Sequence, residues 1–184
     1  ELKDLSMPSV RFSVSVEPLE SDVGFDATGA DDVKFLISAN AGEALGRISK
    51  IASGGELSRI MLAMKTVFSK NDPIETMVFD EIDTGVSGIA AQRVGEKMSD
   101  LSRGKQVLCI THLPQIAAIA DNHDLIEKTE RNGRTYTEVR ELDRKGRALE
   151  LARMHGGDNI SELTLASAEE QLLAADKYRL TRNN

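Results

Sequence analysis

Two successive strand–helix units constrain the fold of this chain more than any other feature. Residues 75–80 form a short apolar run, and apolar residues at helical spacing follow it as far as Leu101. A second apolar run, 106–111, is followed by 114–120, where Pro114 suits the first turn of a helix. Strands that alternate with helices indicate a parallel sheet. The sequence therefore predicts an α/β fold, with a mostly parallel sheet flanked by helices.

An antiparallel β portion is predicted on both sides of these units. Residues 10–17 alternate apolar and polar side chains, the pattern of a strand with one buried face, and 33–39 suit an antiparallel partner. An Asn-Gly dipeptide at 132–133 lies between the strand-like runs 124–129 and 135–140, and it favours a tight hairpin turn. Further helices are expected over 57–68, 143–155 and 162–176.

The chain has the size of one domain, with 184 residues of which 40% are hydrophobic. We expect residues 9–184 to form that domain and residues 1–8 to be the end of a longer helix or coiled-coil arm. Because the chain begins at Glu1 and not at Met, we expect an excised or processed piece. It has neither a leader nor an apolar run of about eighteen residues, so we expect a soluble cytoplasmic protein without a membrane partner.

The charge distribution argues against nucleic-acid binding by this chain alone. The net charge is −7 and only 4% of the residues are aromatic, which disfavours contact with phosphate backbones and stacking on bases. Basic residues are most frequent between 128 and 153, but acidic residues are interspersed among them. We interpret this stretch as a mixed-charge surface, and we expect any contact with DNA to lie elsewhere.

Ser53, Gly54, Gly55 and Glu56 stand directly before the helix that begins near Leu57. Glycines let the backbone come close to a ligand, and a helix N-terminus carries unpaired amides and the positive end of the helix dipole. The combination is typical of an anion-binding site. The plainer alternative is a flexible loop in which Ser53 caps the helix.

Asp80 and Glu81 are adjacent acids at the end of the strand predicted over 75–80. Because side chains alternate along a strand, neighbouring acids point in different directions and can take different roles. Hydrolysis of a phosphoanhydride needs such a division, with Asp80 holding magnesium and Glu81 polarising the attacking water. The alternative is a pair of acids that only open a loop.

Thr111 and His112 follow the next predicted strand. Ligand sites of α/β proteins collect at the carboxyl ends of parallel strands, where a histidine can donate a hydrogen bond to a phosphate oxygen. Taken alone, such a histidine is more often structural, and Asp83 is an ordinary turn residue. One helix lies between successive polar elements, so we expect all of them to reach one edge of the sheet and to form a site.

The chain lacks a P-loop. Gly-Lys occurs only at 104–105, Gln106 follows where a P-loop needs Ser or Thr, and Ser99 replaces the first glycine. Nothing in these 184 residues is suited to cradle a β-phosphate.

Three long strings, 51–59, 78–88 and 106–117, resemble the SMC-like branch of the ABC ATPase superfamily. The resemblance extends over roughly residues 10–175, and Ala52 and Glu56 depart from the commonest signature, Leu-Ser-Gly-Gly-Gln. Both departures keep the serine hydroxyl and the glycine amides. The first of them points to the bacterial DNA-repair members of this branch.

The resemblance implies a role for each matching residue. Residues 53–56 would be the signature that contacts the γ-phosphate of ATP held on the opposing subunit. Asp80 would be the Walker B acid that acts on Mg²⁺, and Glu81 would be the catalytic base. Asp83 would be the D-loop residue that crosses the dimer interface, and His112 would be the switch histidine.

The resemblance also implies what the whole protein does. The chain would be the C-terminal lobe of an ATPase head that dimerises with ATP and acts in DNA double-strand break repair and recombination. Its partners would be its own N-terminal P-loop lobe, reached through a coiled coil, a second head in a homodimer, and DNA bound through the intact, nucleoid-associated protein. This lobe alone would be inactive. The alternatives are the lobe of another SMC-like protein, a transporter's nucleotide-binding lobe, and a dimerisation module without hydrolysis.

Overall fold

A computed structural model describes residues 1–20, 24–48, 54–69 and 71–181 of the chain. Helices and strands appear where the hydrophobic spacing predicts them, and the mixed α/β class is confirmed. The strands are β1 (Arg11–Pro18), β2 (Asp31–Ser38), β3 (Gly46–Arg47), β4 (Thr76–Phe79), β5 (Gln106–Cys109), β6 (Asp124–Arg131) and β7 (Arg134–Glu141). The helices are α1 (Gly54–Phe68), α2 (Gly88–Leu101), α3 (Pro114–Ile119), α4 (Arg144–Gly156) and α5 (Glu162–Thr181).

The predicted parallel pairing is formed by β4 and β5, which are joined through α2. In the described part of the chain the other pairings, β1–β2, β2–β3 and β6–β7, are antiparallel, so less of the sheet structure is parallel than expected. The reason is that neither β4 nor β5 pairs with another strand in the described part of the chain. Their outer face also carries apolar side chains in solvent, and Val78 is 64% exposed there.

The inner face of β4 and β5 forms the main core. Met77 and Phe79 alternate inward along β4 and pack with Val94 and Met98 of α2. A second apolar cluster joins α3, α4 and α5, and a third joins β2 to α1 through Ile37. No helix among the described residues has the length and apolar character needed to cross a membrane.

The apolar face of β1 is exposed, which corrects the expectation of a buried face. Phe12, Val14 and Val16 are each about half exposed, and Phe12 stacks on Phe35 of β2 with ring centroids 5.9 Å apart. The alternation along β1 and its antiparallel pairing with β2 are as predicted. The face is open because, within the described ranges, only the far end of β2, at Ile37, reaches the core.

The hairpin of β6 and β7 turns at Asn132 and Gly133, both with positive φ, as the Asn-Gly pair predicts. Two salt bridges join its strands: Arg131 binds Glu138 at 2.6 Å, and Arg140 binds Glu127. These pairs agree with a mixed-charge surface. At the start of the chain, residues 2–6 form turns, and Leu5 is buried in the main core. The coiled-coil arm stays a prediction.

Arg147 of α4 ties the C-terminal end of α3 to the rest of the fold. Its guanidinium, which is buried, donates to the carbonyl oxygens of Ala118, Ala120 and Asp121 at 2.7 to 3.1 Å. Burial, followed by the nearby charge of Arg179, lowers the pKa of Arg147. A cation at this position offsets the negative end of a helix dipole and satisfies carbonyls that have no partner in the helix.

Replacing Arg147 by alanine is therefore expected to destabilise the fold. The carbonyls of Ala118 and Asp121 would lose this donor and the Ala120 carbonyl would keep only Arg179, so we expect the free energy of unfolding to fall by about 1–3 kcal/mol, measured by urea denaturation. Arg131→Ala, which removes an exposed ion pair on the hairpin, is the matched control and should change stability little. Equal losses in the two variants would contradict the role of Arg147.

Candidate active site

The candidate site lies at the edge where β4 and β5 both end. The two strands are in parallel register, with Phe79 opposite Cys109, and the Ile110 amide continues the ladder by donating to the Phe79 carbonyl at 3.0 Å. Asp80 and Glu81 leave β4 at this edge, and His112 follows β5 at the same edge. The expectation that these polar residues share one edge of the sheet is confirmed.

Asp80 and Glu81 both lie exposed at this edge. The Glu81 amide donates to Oδ1 of Asp80 at 2.9 Å, and the Ser58 hydroxyl of α1 donates to the Asp80 carbonyl at 3.2 Å. Glu81 has φ of 56°, which is unfavourable for a residue with a side chain. Such backbone strain persists only where the surroundings impose it, and it is common at functional sites.

The two glycines that open α1 pack against the loop that follows β4. A Cβ atom on Gly54 would lie 3.0 Å from Oε2 of Glu81, and one on Gly55 would lie 2.3 Å from the Thr84 carbonyl oxygen. Gly55 is therefore needed for contact within the chain, whereas the neighbour of Gly54 is the end of a flexible side chain. Ser53, the first residue of the predicted signature, lies outside the described residues.

Arg59 holds α1 against the same loop, and sequence reasoning missed it. Its Nη1 donates to the Thr84 carbonyl at 3.1 Å, and the side chain is buried. Burial lowers the pKa of Arg59, and the charge of Glu56, partly buried in the first turn of α1, acts in the opposite direction. Helical spacing is the signal that could have found this residue, because Arg59 lies one turn after Gly55.

Asp83 is buried, with 3% of its surface exposed, and it binds the residues that follow β5. Its Oδ2 accepts from the Thr111 hydroxyl at 2.6 Å and from the His112 amide at 2.9 Å, and it lies 3.0 Å from His112 Nδ1. The His112 side chain is 74% exposed. The carboxylate expected at a dimer interface is thus directed into its own chain, beside the predicted switch histidine.

Negative charge dominates this edge. Burial raises the pKa of the Cys109 thiol to about 12, with further contributions from the charges of Asp83 and Asp80. In the parts of the chain that the structure describes, no group of three or more His, Cys, Asp or Glu side chains is placed to hold a metal ion. The arrangement combines exposed carboxylate oxygens, a helix N-terminus and an outward imidazole, which suits a phosphate ligand that brings its own cation.

Comparison with known proteins gives a consistent set of relatives. The chain is 51% identical over 153 residues to the DNA repair protein RecN of Bacillus subtilis, a match that covers 83% of this chain and 27% of that protein. The chain thus spans less than a third of the length of that relative. No family model matches the chain.

Solved structures share the fold. One comes from work on ATP-driven dimerization and DNA stimulated activation of SMC ATPases; it superposes with a TM-score of 0.52 at 22% identity, covering 86% of this chain and 88% of its own. An Smc head domain with a coiled coil and joint, from Pyrococcus yayanosii, superposes with a TM-score of 0.58 at 24% identity, covering 83% of this chain and 27% of its own. The fold is that of an SMC head.

The close contact at Gly55 predicts that introducing a side chain at this position destabilises the fold. In Gly55→Ala the new Cβ would meet a backbone carbonyl that cannot move without the loop, so the free energy of unfolding should fall by about 1–3 kcal/mol in thermal or urea denaturation. Gly104→Ala places the same methyl group in open space and serves as the control. Unchanged stability in Gly55→Ala would show that the helix and the loop are not packed as described.

Proposed function

Because this chain belongs to the RecN family, we propose that it is the C-terminal lobe of an SMC-like ATPase head and supplies half of an ATP-hydrolysing site. The intact protein would use this site in DNA double-strand break repair and recombination, in the cytoplasm at the nucleoid. The observation that carries the proposal is the packing of a glycine-opened helix against a loop with two exposed carboxylates, Asp80 and Glu81.

The start of α1 would bind the γ-phosphate of ATP held by a second head. Exposed Gly54 opens a 15-residue helix whose N-terminal amides and dipole favour an anion, and buried Gly55 packs this helix end against the Thr84 carbonyl. Ser53 would add its hydroxyl, a role that rests on the sequence alone. Glu56 would complete the signature from the first turn.

Asp80 would hold magnesium together with the phosphates of the nucleotide. Its exposed carboxylate is a hard oxygen ligand, and Mg²⁺ in such sites is usually bound through one or two carboxylates plus substrate phosphates. The Glu81 amide fixes the orientation of this carboxylate through Oδ1. Neutralisation of charge on the phosphate oxygens is the chemistry that a bound magnesium ion supplies.

Glu81 would act as the base that orients and polarises the attacking water. Its carboxylate lies at the N-terminus of α1, next to Gly54, and is exposed where a water and a phosphate can approach. His112, on the adjacent strand end, would donate a hydrogen bond to the γ-phosphate. Positioning and electrostatic stabilisation of this kind account for most of the catalysis in phosphoryl transfer.

The missing half of the site would come from a P-loop lobe located N-terminally in the intact protein. This chain has no P-loop motif and spans 27% of the Bacillus subtilis relative. The outer face of β4 and β5 is apolar and exposed at Val78, Leu108 and Ile110. Because parallel sheets are normally covered on both faces, we propose that the P-loop lobe packs on this face.

A second head would complete the assembly, since the signature of one head is proposed to act on ATP bound by the other. The SMC ATPase structure cited above comes from work on ATP-driven dimerization, which supports this arrangement. DNA would be bound through other parts of the intact protein. The net charge of −7 and the paired charges of the β6–β7 hairpin support that division.

The proposal predicts how ATPase activity depends on the P-loop lobe and on Glu81. The 184-residue chain alone should hydrolyse ATP negligibly, and addition of the N-terminal lobe should restore hydrolysis, measured as phosphate release. In the intact protein, Glu81→Gln should lower kcat at least about 100-fold, because the amide cannot accept a proton from water. ATP binding should persist.

Glu75→Gln is the matched control, because it makes the same change at the opposite end of β4, where the side chain is exposed. It should leave kcat unchanged. A Glu81→Gln protein that hydrolyses ATP at the wild-type rate would overturn the assignment of the base. Hydrolysis by the isolated chain would overturn the half-site proposal itself.

A further inference from the structure

The buried carboxylate of Asp83 contacts groups of its own chain, which the interface-crossing role implied by the family resemblance does not explain. Three groups that follow β5 converge on its Oδ2: the Thr111 hydroxyl, the His112 amide and His112 Nδ1. An ionised carboxylate only accepts hydrogen bonds, and the Thr111 hydroxyl and the His112 amide donate to it. His112 Nδ1 lies 3.0 Å from the same oxygen, and beside a carboxylate the electrostatics favour a ring proton on Nδ1 over a lone pair.

The different burial of Asp83 and His112 determines which ring nitrogen is held inside the chain and which is exposed. Asp83 is 3% exposed whereas the His112 ring is 74% exposed, so the histidine is anchored at its inner nitrogen and free at its outer one. The backbone amide of His112 binds the same carboxylate oxygen, which limits rotation of the residue as a whole. The ring is thus held in one orientation, with Nε2 on the side away from Asp83.

We propose that Asp83 is a positioning residue that acts within its own chain by fixing the tautomer and orientation of His112. This inference rests on the proposed function, because it assigns the purpose of the contact to the hydrolysis of ATP. It replaces the interface-crossing role that the family resemblance implies for Asp83. The residue that touches the phosphate remains His112, and Asp83 acts through it.

The contact decides what Nε2 can do. With the proton on Nδ1, Nε2 of the neutral ring can only accept, so the donation to the γ-phosphate proposed above requires a second ring proton, on Nε2. The negative charge of Asp83 on the far side of the ring compensates the positive imidazolium. A carboxylate that orients a histidine through Nδ1 in this way is a recurring device in catalytic sites on unrelated folds.

Asp83→Asn in the intact protein tests the role in the reaction. The asparagine oxygen can still accept from the Thr111 hydroxyl and the His112 amide, but the charge that holds the Nδ1 proton is lost. We expect kcat to fall at least about 10-fold, the lower end of the effect of carboxylates that orient metal-bound histidines, with the KM for ATP unchanged. Asp143→Asn, at the N-cap of α4, makes the same change away from the site and should leave kcat unaltered.

A double-variant comparison separates this role from a structural one. In a His112→Ala background, Asp83→Asn should cause no further loss of kcat, because a positioning residue acts only through the ring that it positions. If Asp83→Asn lowers kcat by the same factor with and without His112, Asp83 acts otherwise and the proposal is wrong. A wild-type kcat in Asp83→Asn alone would also overturn it.

The tautomer can be measured independently of ATP hydrolysis. The chain contains three histidines, so ¹⁵N labelling of histidine and comparison with His112→Ala assigns the His112 ring by NMR. At a pH where the ring is neutral, we expect Nδ1–H in the wild type and a reduced share of that tautomer in Asp83→Asn. Nε2–H in the wild type would overturn the proposal. If the tautomer is as expected but the isolated chain hydrolyses ATP, the half-site proposal fails and the contact stands.

Discussion

The close approach of the α1 N-terminus to the loop after β4 is the constraint on which the site depends. At Gly55 the backbones are so near that a Cβ atom would lie 2.3 Å from the Thr84 carbonyl, and buried Arg59 binds that same carbonyl from one turn further along. The contact fixes the N-terminal end of α1 beside Asp80 and Glu81. The helix N-terminus and the two carboxylates are thereby held in a fixed relation to each other, although the proposed function assigns them to two different nucleotides.

Local patterns in the sequence were enough to predict the elements and the shared sheet edge. Periodicity identifies α1 and α2, and the strand–helix alternation implies that Asp80 and His112 leave neighbouring parallel strands. The bond between Asp83 and His112 joins residues far apart in the chain, so no local pattern contains it. Periodicity also identified the apolar face of β1 but not its exposure, because what covers a face depends on neighbours and not on its own spacing.

The exposed apolar face of β4 and β5 and the missing P-loop motif have a common explanation. β4 and β5 bury one face in the core and leave Val78 and Leu108 of the other in solvent, although parallel strands are normally covered on both sides. The same edge carries the groups that we propose to act on a metal and a water, and the chain has no P-loop motif to hold a nucleotide. Both observations are explained if a P-loop lobe packs against this chain, so that neither the core nor the site is complete without it.

The central claim is that this chain contributes to two ATP sites, with Gly54 and Gly55 facing one nucleotide and Glu81 facing another. A structure of the intact protein with a non-hydrolysable ATP analogue and Mg²⁺ tests it most directly. The account predicts two heads with ATP between them, the α1 amides of one head at the γ-phosphate bound by the other, and Glu81 near the γ-phosphate of its own head. A nucleotide bound within one head, with no contact from the α1 N-terminus of a second head, would contradict it.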